Sequence, residues 1–180
     1  MSAIRAVLTG DLVSSTKASP RTIDRAMEVL SAAATDISGW HLTENTAVGP
    51  THFTRYRGDG WQILVSLGRF GLRAALMMYA RLAAEPGLPS TRIAVGLASV
   101  DSVTGPDLSD AHGAAFAVSG RALASMARGE RLRLAGNRID PLLAAFFGLL
   151  DDRISDWTPE QAEAVAQVTG RTVVNYHSQR

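Results

Sequence analysis

The central stretch of this chain is Arg55-Tyr56-Arg57-Gly58-Asp59-Gly60-Trp61-Gln62-Ile63-Leu64-Val65, in which a Gly-Asp-Gly turn separates two runs of strand-forming residues. Aromatic and β-branched side chains favour strands on both sides of that turn. Glycine reaches positive φ without steric cost, so the turn suits a tight hairpin. Asp59 alone is an ordinary turn residue, because aspartate and glycine are common in turns for local reasons. The stretch therefore predicts a β-hairpin that carries a carboxylate at its tip.

A second carboxylate follows an apolar run near the N-terminus. Residues 4–10 are predicted to form a buried strand, which runs into Asp11-Leu12-Val13-Ser14-Ser15-Thr16. A carboxylate at the end of a buried strand is costly unless a partner satisfies it. If this strand lies beside the hairpin, Asp11 and Asp59 converge, and two converging carboxylates call for a cation between them. Hard oxygen ligands of this kind suit Mg²⁺ or Mn²⁺, often with phosphate oxygens completing the shell.

Composition excludes several classes of function. The chain has 180 residues, 46% of them hydrophobic and 19% charged, which is typical of an ordinary soluble globular protein with one good core. The net charge of +1 gives no broad electrostatic case for a nucleic acid or a membrane as partner. The absence of cysteine excludes disulfides, thiolate metal sites and cysteine nucleophiles. With no signal-peptide layout and no apolar run of membrane-spanning length, we expect a cytoplasmic protein.

The order of strand and helix signals predicts the fold class. Helices are expected from Ser19-Pro20 to Gly39, over 69–84 and over 113–128, and strands over 4–10, 51–57, 61–67 and 91–100, with a short one at 132–134. Residues 40–48 also fit a strand that carries polar residues. The order β-α-β-β-α-β indicates an α/β (α+β) ferredoxin-like sandwich in which helices cover one face of the sheet.

The character of the chain changes after Asn137, which predicts a domain at residues 1–137 and a helical extension at 138–180. Residues 141–154 are strongly apolar, and Thr158-Pro159-Glu160-Gln161 predicts a capping box at the start of another helix. The extension resembles a truncated helix-turn-helix, but too few basic residues follow for a DNA-binding surface. The alternative is a helical cap or dimerisation arm, in which a partner subunit covers the apolar helix.

Four motifs resemble, in their order along residues 4–130, those of the class III nucleotide cyclases. Asp11 to Thr16 resembles the first metal-binding motif, and Gly58-Asp59-Gly60 resembles the second metal-binding aspartate in its hairpin. Residues 91–97 resemble a later strand of the family, and 110–121 its Asp-x-x-Gly-x-x-Val-Asn-x-x-x-Arg segment. The related SatD-like proteins share a Gly-Asp-(Leu/Ile)-Val-x-Ser opening and a Gly-Asp-x-x-Gln hairpin, which residues 10–15 and 58–62 both fit.

The resemblance implies a ferredoxin-like core and a site for a purine nucleoside triphosphate and Mg²⁺ or Mn²⁺ in a homodimer. In such cyclases two metals promote attack of the ribose 3′-hydroxyl on the α-phosphorus, and pyrophosphate leaves. The implied metal ligands are Asp11, Leu12 and Asp59. The implied phosphate-binding residues are Val13, Ser14, Ser15 and Thr16, which lie between a strand and a helix. Arg121 would stabilise charge on the α-phosphate, and Arg55 and Asp110 would bind the base.

Two residues depart from the cyclase pattern. Ala117 stands where the family has a ribose-orienting asparagine, and Arg55 stands where it has a base-reading lysine, although arginine is longer and planar. Alanine cannot make the ribose hydrogen bond, so Ser119 or a side chain of the partner subunit would have to replace it. Three functions stay open: a homodimeric cyclase, a SatD-like nucleotide-binding or regulatory module without turnover, and a transcription-type regulator that uses the C-terminal helices.

Overall fold

The computed structural model describes residues 4–40, 51–56, 58–105, 107–137 and 139–170. These ranges contain five strands and five α-helices: β1 (Arg5–Leu12), α1 (Pro20–Gly39), β2 (His52–Tyr56), β3 (Gly60–Val65), α2 (Gly71–Ala83), β4 (Thr91–Ala98), α3 (Ala114–Ala124), β5 (Leu132–Gly136), α4 (Pro141–Ile154) and α5 (Pro159–Gly170). Apart from Trp40, the residues of the predicted 40–48 strand lie outside the described ranges, as do the last ten residues of the predicted extension.

The strands form one sheet in the order β2-β3-β1-β4-β5. The central strand β1 runs antiparallel to β3 and β4, and β2 pairs with β3 as the expected hairpin. The first four strands with α1 and α2 therefore have ferredoxin-like topology, and the predicted fold class is confirmed. The fifth strand, β5, lies parallel to β4, as a crossover through α3 requires.

One face of the sheet packs on α1 and α2 and holds the main core. Alternate residues of each strand point into it, including Leu8, Trp61 and Ile93, all with fully buried side chains. The indole N–H of Trp61 donates a hydrogen bond to Thr91 Oγ1 at 3.0 Å. Burial of this apolar surface is the principal stabilising contribution. The N-terminus of α1 is capped as predicted, since Ser19 Oγ accepts a bond from the Thr22 N–H at 3.1 Å.

The opposite face of the sheet is covered by α3, whereas the sequence predicts helices on one face only. The helix packs on β1, β4 and β5 through a smaller cluster that includes Val7 and Ala115. Gly96 permits its close approach, because a Cβ atom there would lie 2.5 Å from the Ala115 carbonyl oxygen. The connection from β4 to the parallel strand β5 runs through α3, which therefore forms a second helical layer on this face.

The helices α4 and α5 pack against the sheet and α2. Phe147 and Ile154 of α4 are buried in the main core, and Arg73 Nε donates to the Thr169 carbonyl of α5 at 2.8 Å. The predicted capping box is present at the start of α5, where Thr158 and Gln161 exchange backbone-to-side-chain hydrogen bonds. The 137/138 domain boundary stays a prediction, and the apolar side chains of α4 share the core of the preceding residues.

The outer side of α4 is apolar and exposed. Leu142, Phe146 and Leu149 are 79%, 47% and 64% exposed and lie one helical turn apart. Among the helices that the structure describes, none combines the length and the apolar character needed to cross a bilayer.

Candidate functional site

The strand pairing brings Asp11 and Asp59 to adjoining strand ends. Asp11 lies opposite Gly60 in the β1–β3 ladder, and the Leu12 N–H donates to the Asp59 carbonyl at 3.1 Å. The hairpin turn uses Gly58 at φ 81°, a left-handed conformation that glycine adopts without strain. Both predicted metal-binding aspartates therefore occupy the same end of the sheet.

The Asp11 carboxylate is bound by Arg92 of β4. Arg92 Nε donates to Asp11 Oδ1 at 2.8 Å, and Nη2 donates to Oδ2, so the contact is bidentate. The Asp11 side chain is 26% exposed and the Arg92 side chain is 32% exposed. A bidentate guanidinium–carboxylate pair of this kind is stronger than a single neutral hydrogen bond. The charge of Asp11 is therefore neutralised within the chain.

The Asp59 carboxylate has a different partner, the hydroxyl of Ser15, which donates to its Oδ2. Ser15 opens a short 3₁₀ turn at residues 15–17, which joins β1 to α1. Ser14, before it, has φ 56°, an uncommon conformation for a residue other than glycine. The 12–16 segment thus folds back over the hairpin tip.

The same segment contains the amide groups predicted to bind phosphate. Two of them are already used, because the Leu12 N–H donates to Asp59 and the Val13 N–H donates to the Ser90 carbonyl at 2.7 Å. Within the described residues, no backbone acceptor is found for the N–H groups of Ser14, Ser15 and Thr16. The amides that can receive an anion are therefore those of 14–16.

The charges around Arg92 extend beyond Asp11. The hydrogen bond to Asp11 raises the pKa of Arg92 above its ordinary value, against the effect of burial, and the charges of Asp59 and Glu130 add to the rise. Burial acts to raise the pKa of Glu130, but the hydrogen bonds from Arg133 and the Ala127 N–H lower it below its ordinary value. Arg92 therefore lies among three carboxylates at one end of the sheet.

Arg55 lies on the α1 side of the hairpin. It pairs across the ladder with Trp61, which is buried against that side of the sheet. Its Nη1 contacts Asp24 Oδ1 at 2.8 Å, and its Nε donates to the Gly58 carbonyl at 2.8 Å. With Asp59 and neighbouring residues it lines a shallow pocket of about 390 Å³. The base-binding role of Arg55 stays a prediction.

Neither Arg121 nor Asp110 makes a hydrogen bond or ion pair with the two aspartates in the described part of the chain. Arg121 is exposed on α3, where it lines a depression with Arg133 and Gly136 of β5, and its side chain makes no hydrogen bond or ion pair within the described residues. Asp110 is exposed in the segment after β4, which leaves the sheet at the end opposite to Asp11 and then reaches β2, where the Leu108 N–H donates to Thr54 Oγ1 at 2.7 Å. Their proposed roles would need a second copy of the chain or a bound ligand to join them to Asp11.

Ser119 does not occupy a position from which it could replace the missing asparagine. Its side chain is fully buried, its Oγ lies 2.8 Å from Thr9 Oγ1, and it donates to the Phe116 carbonyl at 3.1 Å. Gln62 Nε2 also donates to Thr9 Oγ1, at 2.9 Å. This polar group fixes α3 on the sheet, whereas Ala117 is exposed on the outer side of the helix.

Arg92 is the site residue that sequence reasoning missed. The sequence places it in a strand that resembles the family, but no role follows from that position alone. A weak signal was present, since a charged residue at the start of an apolar strand needs a partner when half-buried. The partner is 81 positions away in sequence, so only the strand register identifies it.

The donor set at the strand ends suits a hard divalent cation in part. Two carboxylates and the nearby hydroxyls offer oxygen, and Leu12, whose side chain is in the core, could contribute only its carbonyl. The described residues contain no group of three or more His, Cys, Asp or Glu placed to hold a metal. Mg²⁺ commonly binds one or two carboxylates together with water and substrate phosphates. The residues therefore fit a metal–phosphate complex better than a bare ion.

The solved structures that are similar to this chain include two cyclases, both at low similarity. The GGEEF domain of a diguanylate cyclase from Vibrio cholerae matches 77% of this chain and 85% of its own length, with 15% identity and a TM-score of 0.44. A bacterial light-regulated adenylyl cyclase matches 74% of this chain, with 13% identity and a TM-score of 0.45, and the match covers only 43% of that protein. No protein-family model matches this sequence, and neither does any curated protein. Similarities this low support no argument about activity.

Proposed function

We propose that this chain is a nucleotide-cyclase-like domain that binds a purine nucleoside triphosphate together with Mg²⁺ or Mn²⁺ at the strand ends of Asp11 and Asp59. The observation that carries the proposal is the position of these carboxylates on adjoining strand ends, beside a turn at 14–16 with amides that lack a backbone acceptor in the described structure. Carboxylates attract a divalent metal, and amides in a turn of this kind attract phosphate oxygens.

Different groups of the chain would bind the metal and the phosphates. Asp11, Asp59 and the Leu12 carbonyl would hold the metal, which when bound would neutralise triphosphate charge and lower the pKa of the attacking ribose hydroxyl. The 13–16 segment would bind the phosphates, chiefly through the amides of 14–16. The Ser15 hydroxyl, which now donates to Asp59, would be released to a phosphate oxygen when the metal takes that carboxylate.

The base and the α-phosphate would be contacted from further away. Arg55 would reach the base from the pocket beside Asp59, and Asp110 would complete the base contact. A second copy of the chain would supply Arg121, since that residue is exposed and does not contact Asp11 or Asp59 in its own chain. In a catalytic dimer Arg121 would stabilise charge on the α-phosphate while a cyclic nucleotide and pyrophosphate form.

A second function is favoured by the outer side of α3. Ala117 cannot orient a ribose, and the hydroxyl of Ser119 is buried and already bonded to Thr9. No replacement for the asparagine is thus found in the described part of this helix. A SatD-like regulatory module, which binds the metal–nucleotide complex without turnover, would show the same arrangement.

The test is calorimetric titration of ATP and of GTP into the whole chain with Mn²⁺ present. Asp59→Ala should weaken binding by at least about tenfold, because it removes one of two charged metal ligands. Asp36→Ala is the matched control, since it removes another exposed aspartate that pairs with Arg81, away from the site. The same mixtures are then assayed for cyclic nucleotide and pyrophosphate.

The three possible results of this test support the cyclase, support the regulatory module or refute both. Binding that depends on Asp59 and yields cyclic nucleotide would establish the cyclase, with the ribose contact supplied by the partner copy. Binding that depends on Asp59 without product would establish the regulatory module. Wild-type protein that binds neither nucleotide would refute both and leave Asp59 as a hairpin residue.

A further inference from the structure

The contact between Arg92 and Asp11 has a consequence for metal entry. Each carboxylate oxygen of Asp11 already accepts an N–H bond from the guanidinium, and the pair is only partly exposed. A divalent cation that approaches Asp11 meets the full positive charge of Arg92 at contact distance, where repulsion is only weakly screened. Asp11 is therefore a poor ligand for a free metal ion while Arg92 stays in place.

The backbone cannot relieve this competition. Asp11 and Arg92 are directly paired in the β1–β4 ladder, and the Thr91 hydroxyl donates to the Asp11 carbonyl at 2.8 Å. Both backbones are thus fixed, and the ion pair can open only by side-chain movement, for which arginine has the longer and more flexible side chain. The nearby Glu130 carboxylate is already bonded to Arg133 and to the Ala127 N–H, so it does not compete with Asp11 for the guanidinium in this arrangement.

We propose that Arg92 acts as a latch on Asp11. Its side chain prevents Asp11 from binding free metal ions and moves away only when the metal arrives bound to a nucleotide. A metal–triphosphate complex carries net negative charge, so Arg92 does not repel it as it repels the bare cation. Metal and nucleotide then bind with strong mutual dependence. The inference rests on the proposed metal–nucleotide site, and it makes Arg92 a positioning residue within it.

The test measures Mn²⁺ binding to the whole chain by electron paramagnetic resonance of the free ion, with and without a non-hydrolysable ATP analogue, and each signal is compared with the same mixture without protein, because the analogue itself binds Mn²⁺. Without nucleotide, Arg92→Gln should bind Mn²⁺ at least about tenfold more tightly than wild type, since the competing charge-assisted bonds are gone. Asp11→Asn in the same background should abolish that gain. Arg81→Gln is the control, because it removes one positive charge and one aspartate contact elsewhere.

A second measurement distinguishes the latch from a purely structural ion pair. The ATP analogue should increase Mn²⁺ affinity by a larger factor in wild type than in Arg92→Gln, because only the wild type has a latch to release. If Arg92 and Asp11 form only a structural ion pair, Arg92→Gln would lower the melting temperature but leave the nucleotide-induced increase in Mn²⁺ affinity unchanged. Where Arg92→Gln fails to fold, Arg92→Lys serves, since it keeps the charge but loses the bidentate contact, and it should also bind free Mn²⁺ more tightly than wild type.

Two results would overturn the proposal in distinguishable ways. If Arg92→Gln and wild type bind free Mn²⁺ equally, while Asp11→Asn and Asp59→Ala weaken the Mn²⁺–nucleotide complex, the latch is wrong and the proposed site stands. If no variant binds Mn²⁺ with or without nucleotide, the proposed metal site is wrong and the latch falls with it.

Discussion

Alanine at Gly10 should destabilise the protein at the residue that precedes Asp11. A Cβ atom there would lie 2.3 Å from Trp61 Cζ2, 2.4 Å from Trp61 Cε2 and 2.7 Å from the Arg92 carbonyl oxygen. Carbon atoms in favourable contact lie about 3.5–4.0 Å apart, so the overlap with the ring exceeds an ångström. Trp61 is fully buried and one of the clashing atoms belongs to the backbone, so a simple side-chain rotation cannot relieve the strain.

The expected loss of stability has two parts. Overpacking a filled core costs about 1–3 kcal/mol. Displacing Trp61 also breaks its 3.0 Å bond to Thr91 Oγ1, and an unsatisfied buried donor costs about 1–3 kcal/mol. The sum is about 2–6 kcal/mol. For a protein of this size each kcal/mol lowers the melting temperature by about 2–4 °C, so a fall of at least about 4 °C is expected.

Thermal unfolding followed by circular dichroism, with urea unfolding for the free energy, measures this loss. Gly148→Ala is the control, because, apart from the adjacent residues and the backbone of α4 itself, no atom of the described residues lies within 4 Å of a Cβ built there. A glycine inside a helix is destabilising by about 0.5–1 kcal/mol relative to alanine, so this control should melt slightly higher than wild type. If Gly10→Ala melts as high as wild type, Trp61 is not packed against β1 as described, and the reasoning fails.

Two further predictions concern the start of β5. Asp151→Ala should cost about 2–3 kcal/mol in urea unfolding, because Asp151 Oδ1 accepts the N–H groups of residues 131–132 at 2.6 and 2.7 Å. Asp152→Ala, at the exposed neighbouring position, should change the free energy of unfolding little. Equal losses in the two variants would contradict this role of Asp151. The pKa of Glu130 is lowered in the folded state by its hydrogen bonds, chiefly from Arg133, so its contribution is present above the ordinary value of 4.5 and is lost as pH falls below it. Glu130→Gln should therefore flatten the loss of stability between pH 5 and pH 3, measured by urea unfolding, and an unchanged slope would contradict the linkage.

Local signals in the sequence predicted the hairpin and the starts of two helices, which the structure contains. The Gly-Asp-Gly turn gave a hairpin because a glycine with positive φ is needed there, and Gly58 has φ 81°. Ser19 and the Thr158–Gln161 capping box marked helix starts because each satisfies backbone groups within the same few residues. The order of the strands then followed, since few topologies connect β-α-β-β-α-β with short links.

Contacts between distant residues were not predictable in this way. The face of the sheet that α3 covers depends on where β5 pairs, which no local pattern states. Ser119, which the sequence offered as a replacement for the ribose-orienting asparagine, is instead hydrogen-bonded to Thr9, with 2.8 Å between the two hydroxyl oxygens. Their separation of 110 residues exceeds the range of any turn or helix rule.

The sequence by itself determined the ferredoxin-like core, the hairpin and the position of each aspartate at a strand end, because these depend on side-chain periodicity and turn chemistry over a few residues. Only the tertiary structure determines which side chains contact the carboxylates of Asp11 and Asp59. The β1–β4 register places Arg92 on Asp11, and the turn after β1 places the Ser15 hydroxyl on Asp59. A charged side chain reaches whichever partner the packed backbone brings within a few ångströms, and that distance is fixed only when the whole sheet has formed.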